Sequence, residues 1–122
     1  MSTFTYLVRV ANPQQTTPPI DVKLLVDTGA MFTSLPTPQL DALGVSPRWR
    51  VPIRLADGRQ EDWSAAEILM TIDARTLHTT CLFGPPDSLP LLGAVSLEQF
   101  GLGPDPLARR LVPTRVPMAC GV

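Results

Sequence analysis

The run Leu24-Leu25-Val26 delivers a carboxylate, Asp27, directly into Thr28-Gly29. Apolar residues on both sides promise burial, and a lone buried carboxylate is costly unless it is paired or protonated. Asp-Thr-Gly can also simply end a strand, so the tripeptide alone decides little. The competing chemistries are few. His78 is the single histidine. It lies three residues before Cys81, and on a strand two such residues point to opposite faces. A Cys-His nucleophile is therefore not expected. One histidine and two cysteines, Cys81 and Cys120, give neither zinc spacing nor a redox pair. No Gly-rich loop opens a helix to cradle phosphate. The other acidic residues read as solvated: Asp57, Asp73 and Asp87 in turns, Glu61 and Asp62 beside a hairpin, Asp41 and Glu98 on short helices. Asp27 differs in that the unbroken apolar run Leu24-Leu25-Val26 leads straight into it.

The elements that must position Asp27 are short. Fourteen prolines and eight glycines cut the chain into segments too brief for long helices. Thr5 to Val10 alternates as a strand, and Ile20 to Val26 reads as a second, more buried one. Phe32 to Leu35 is expected as a third, stopped by Pro36. In "TPQLDALG" Thr37 is expected to cap a helix, with Pro38 at its first position and Gly44 at its end. Arg50 to Ala56 alternates, with Val51, Ile53 and Leu55 on one face. Asp57-Gly58 then marks a hairpin, returning from Arg59 towards Ile72. Leu77 to Phe83 and Leu89 to Gly93 read as strands. "AVSLEQFG" reads as one or two helical turns, and Arg109 to Pro113 as a last strand. Cys81 is expected in the core and Cys120 in the tail.

At 122 residues the chain is expected to be one domain, 1–122, burying roughly two-thirds of its unfolded surface. A net charge of −1 argues against an extended basic face for nucleic acid. No stretch is apolar for long enough to span a membrane, and "MSTFTYLVRV" lacks a basic start followed by an apolar run. The expected location is cytoplasmic.

"LLVDTGAMFTSLP" resembles the active-site segment of the retropepsin-like aspartic proteases. "LPLLGAVSLEQFGL" resembles that family's second element, two apolar residues and a glycine (Leu91-Leu92-Gly93) before a short helix. Between them, "RLADGRQEDW" falls where the family has its flap hairpin, and "GLGPDPLARRLVP" is similar to the C-terminal segment of small prokaryotic members. The resemblance runs from about residue 4 to 113, with its elements in order.

The resemblance implies a mainly β, single-lobe acid-protease barrel with one or two short helices, acting as a symmetric homodimer without cofactor or metal. Asp27 would be catalytic, facing its own copy across a two-fold axis. Two carboxylates at such range cannot both ionise cheaply, which is the general aspartic-protease arrangement. Thr28 would brace the pair by bonding to the opposite subunit, and Gly29 would aim its amide at the carboxylate. Ala30 stands where two-lobed relatives often carry a hydroxyl. Ala56, Asp57 and Gly58 would form the flap tip closing over peptide substrate. Trp63 would either line the pocket or pack beneath the flap base. Leu92 and Gly93 would pack against the catalytic loop as structure. Viral members follow their motif with acidic residues, whereas Met31 and Phe32 stand here. Residues 114–122 would be a flexible or interfacial tail. The alternative is a catalytically silent, dimeric peptide-binding or scaffold domain of the same fold.

Overall fold

The alternating stretches become strands. The computed structural model describes residues 3–115. Residues 116–122, with Cys120 and most of the expected tail, lie outside the described residues. The order is β1 (Thr5–Ala11), β2 (Ile20–Val26), β3 (Thr33–Pro36), α1 (Thr37–Ala42), β4 (Trp49–Arg54), β5 (Gln60–Ile72) and β6 (Arg75–Gly84). Then come β7 (Leu91–Leu92), α2 (Ala94–Phe100), β8 (Leu102–Asp105) and β9 (Arg110–Pro113). Strand makes up 50% of the described residues and helix 12%, so the expected mainly β class holds. Among the described residues, no helix is long and apolar enough to cross a membrane.

Seven strands form one sheet in the order β1-β2-β7-β3-β6-β5-β4, and β1 also pairs with β5, Val10 opposite Met70. That extra pairing closes the sheet into a barrel. Inside it lie Val8, Val10, Leu24, Leu35, Ile68, Met70, Leu92 and Phe100, all fully or almost fully buried. Each such side chain contributes about 1.5–3 kcal/mol by leaving water. Cys81 belongs to this core, and burial pushes its thiol up to about 12. His78, three residues earlier, is exposed on the opposite face, its Nδ1 2.8 Å from Glu67 Oε1.

Several local expectations need correction. Thr37 does not cap α1; the helix starts at Thr37 itself, behind Pro36, without a side-chain cap. The Thr37 hydroxyl instead donates to the Gly84 carbonyl at 2.8 Å and ties the helix to β6. Strand β3 runs one residue later than expected, with Pro36 as its last paired residue, opposite Gly84. Gly44 follows the helix at φ 75°, the left-handed position that glycine adopts without strain. Strand β8 was not expected, because Gly103 and Pro104 lower strand propensity. It forms as one half of a separate two-stranded sheet with β9, where Pro104 needs no interior partner for its missing N–H.

The contact that fixes the barrel's end lies between residues about sixty apart in sequence. A Cβ on Gly93 would stand 2.6 Å from the Phe32 carbonyl oxygen and 2.7 Å from the Thr33 nitrogen. Only glycine lets these backbones touch. Helix α2 begins directly after Gly93, which has no side chain with which to cap it. Its first amides are met instead by the loop before β3: Ala94 N–H donates to the Ala30 carbonyl at 2.8 Å, and Val95 N–H to the Met31 carbonyl at 2.9 Å.

Beneath this junction runs a buried chain of hydroxyls. Thr79 Oγ1 donates to Gln99 Oε1 at 2.6 Å, so it must accept from Ser96, 2.7 Å away. Ser96 then accepts from Thr33 at 2.7 Å, and Thr33 accepts from the Gly93 N–H at 3.1 Å. Each hydroxyl has one proton, so the first bond sets the direction of all the others.

Gly93→Ala is expected to destabilise the fold by at least about 1–3 kcal/mol in urea unfolding, because backbone rather than a side chain must yield. Ser96→Ala is expected to cost about 1–3 kcal/mol by leaving the buried Thr33 hydroxyl proton without an acceptor. Wild-type stability in either variant would contradict the packing described. Cys81 is expected to resist alkylation at pH 8 in the native state and to label on unfolding, read by peptide mass mapping.

Candidate active site

Asp27 is the first residue after β2, and its place is set by β2's two neighbours. On one side β2 pairs antiparallel with β1, Leu25 opposite Thr5. On the other it pairs parallel with β7, Val26 opposite Leu92. The Asp27 N–H continues that ladder by donating to the Leu92 carbonyl at 3.1 Å. The chain then turns, and Ala30 N–H donates back to the Asp27 carbonyl at 3.2 Å. Within the turn, the Gly29 amide donates to Asp27 Oδ1 at 2.9 Å, an amide–carboxylate bond of the stronger, charge-assisted kind. A Cβ on Gly29 would lie 3.2 Å from the same oxygen, so glycine keeps this approach open.

The apolar flanks of Asp27 do not bury it. Leu24 and Val26 point into the core, but Asp27 itself is only half-buried and borders a cleft of about 520 Å³. Gly29, Ala30, Met31 and Phe32 form one side of this cleft, with Ser34, Leu82 and Leu91 at its floor. The other side is the hairpin of β4 and β5, through Val51, Ile53, Leu55, Ala56 and Trp63. Apart from Asp27 and Arg54, the lining residues are uncharged. A carboxylate at the edge of an apolar cleft can take a proton from, or give one to, whatever the cleft holds.

The expected site residues thus fall into three groups. Asp27, Gly29, Ala30, Ala56 and Trp63 share the cleft. Leu92 and Gly93 are buried behind the loop. Thr28, Asp57 and Gly58 are exposed and do not line the cleft. Thr28's hydroxyl makes no hydrogen bond among the described residues. The hairpin tip turns through Ala56 to Gly58, with Gly58 N–H donating to the Leu55 carbonyl at 2.9 Å and Gly58 at φ 90°.

Some of the site was not foreseen. Val51, Ile53 and Leu55 were recognised as one face of a strand, but that face meets the cleft and not the barrel core. Alternation finds a face without saying what the face looks at. The hydroxyls of Thr33, Thr79 and Ser96 carried no signal, since nothing in a sequence marks which polar residues will meet.

No family model matches the chain, and no curated protein matches it by sequence. Among solved structures, 150 chains match. One is EIAV protease complexed with the inhibitor HBY-793, at TM-score 0.60 and 20% identity, over 82% of this chain and 89% of that one. Identity at that level speaks for the fold alone. This chain has the retropepsin-like, single-lobe aspartic-protease fold.

Proposed function

We propose that the protein is an aspartic endopeptidase that works as a symmetric homodimer. The observation carrying this reading is the placement of Asp27. A carboxylate held by the Gly29 amide sits at the edge of an apolar-walled cleft, under a hairpin, in the fold of a retroviral protease. One protomer supplies only one such carboxylate. The second comes from the Asp27 of an identical chain across a two-fold axis, which also gives the exposed Thr28 hydroxyl a partner to bond.

The reaction needs only those two groups and water. The ionised carboxylate takes a proton from water as the water oxygen attacks the peptide carbonyl carbon. The protonated carboxyl gives its proton to the carbonyl oxygen. The resulting diol collapses: the C–N bond breaks, the leaving nitrogen takes up the proton drawn from water, and one diol hydroxyl returns its proton to the carboxylate that gave one, re-forming the C=O and restoring the pair. Val51, Ile53, Leu55 and Trp63 on the hairpin exclude solvent while apolar side chains of an extended peptide occupy the cleft. The hairpin tip of Ala56, Asp57 and Gly58 serves as the flap.

The test is cleavage of a broad peptide library from pH 3 to 8 by the wild type and Asp27→Asn. The variant is expected to lose roughly a thousandfold or more in rate while staying folded. Specific activity is expected to fall on dilution, as dissociation removes half the site. A monomer at tens of micromolar would refute the shared site. A folded dimer that binds peptides without cutting them would establish the binding-module alternative. Ala30→Ser is expected to shift the acid limb of activity to lower pH, because a hydroxyl donating to the ionised carboxylate favours that form. Without it, the wild-type optimum is expected above about pH 4.

A further inference from the structure

One face of the hairpin carries two unlike rows, of which Val51, Ile53, Leu55 and Trp63 reach the cleft. In the β4–β5 register Val51 stands opposite Trp63 and Ile53 opposite Glu61, and directly opposed side chains share a face. Leu55 N–H donates to the Arg59 carbonyl at 2.8 Å, which carries the pairing up to the turn. One row, Val51-Ile53-Leu55, is apolar. The other is Trp63-Glu61-Arg59, and it continues to Asp57 at the tip.

That second row is internally satisfied from end to end. Glu61 Oε1 accepts the Trp63 indole N–H at 2.9 Å. Glu61 Oε2 lies 3.7 Å from Arg59 Nη1. Arg59 Nε donates to Asp57 Oδ2 at 2.7 Å, and the Arg59 amide to Asp57 Oδ1 at 3.0 Å. Side-chain exposures of 67% for Arg59, 56% for Asp57 and 40% for Glu61 mean that these pairs add little to fold stability. They fix geometry instead. An indole has one N–H donor, and spending it on Glu61 selects one orientation of a large flat ring beside the cleft.

We propose that Glu61 is a positioning residue for the cleft. It holds the Trp63 indole as the wall against which an apolar substrate side chain packs, and ties that wall to the flap tip through Arg59 and Asp57. Its kinetic consequence rests on the peptidase reading; its effect on the indole does not. A wall set before substrate arrives lowers the ordering cost of binding. Losing it weakens ground state and transition state alike, which raises KM and leaves kcat nearly unchanged.

The experiment uses the full chain carrying Trp49→Phe, a position outside the cleft, so that Trp63 is the only tryptophan and can be excited selectively over Tyr6. Glu61→Leu, which removes the acceptor, is compared with Glu61→Gln, whose amide oxygen still accepts the indole N–H. Glu61→Leu is expected to increase acrylamide quenching of Trp63 and to raise KM about three- to tenfold with kcat within about twofold. Glu61→Gln is expected to restore both readouts. Identical quenching in Glu61→Leu and its parent, or equal losses in Glu61→Leu and Glu61→Gln, would overturn the proposal. A parent that cleaves no peptide but shows the quenching difference would refute the peptidase reading while upholding Glu61's hold on Trp63.

Discussion

The contact on which the rest depends has no side chain in it. Where Gly93 presses its backbone against the Phe32–Thr33 peptide, two segments from distant parts of the sequence become one unit. Strand β7 is only two residues long, too short to persist by itself. It persists because it lies between β2 and β3, with parallel pairing on one side and antiparallel on the other. The Asp27 amide, the capping of α2 by the Ala30 and Met31 carbonyls, and the hydroxyl chain through Thr33 are all conditional on that approach. Any Cβ at position 93 would push these groups out of bonding range together.

Much of this architecture was legible in the sequence, for identifiable reasons. Strand β2 and the Asp27 loop were readable because an apolar run ending in Asp-Thr-Gly is locally unusual. The β4–β5 hairpin was readable from alternation and from Asp57-Gly58. Local rules misled where a tertiary contact overrode them. Thr37 has the chemistry of a cap, but a free carbonyl at Gly84 competes for its hydroxyl. Gly103 and Pro104 argue against a strand, yet β8 needs only one neighbour and finds it in β9. Within one protomer Asp27 is half-buried, for a related reason. Leu24 and Val26 alternate into the core, while the residue that follows them leaves the strand for the edge of a cleft.

The site divides its work between two kinds of surface. Behind Asp27 the structure spends directional bonds: amides on carbonyls, hydroxyl on hydroxyl, each with its partner defined. In front of it the walls are apolar and shaped by packing, with a separate polar row on the return strand of the hairpin. Precision lies in the backbone that holds the carboxylate, and adaptability in the surfaces that would meet a peptide.

The sixty-residue separation across the Gly93 junction also orders events in time. Hairpins such as β5–β6 close over the two residues Asp73-Ala74, and their loop-closure cost is small. The Asp27 loop gains its bracing only when residues 91–96 arrive from far along the chain, a non-local event that comes late in folding. A nascent chain that has emitted Asp27 but not yet α2 therefore carries the carboxylate without its cradle. Folding itself withholds the assembled site until the barrel around it is nearly complete.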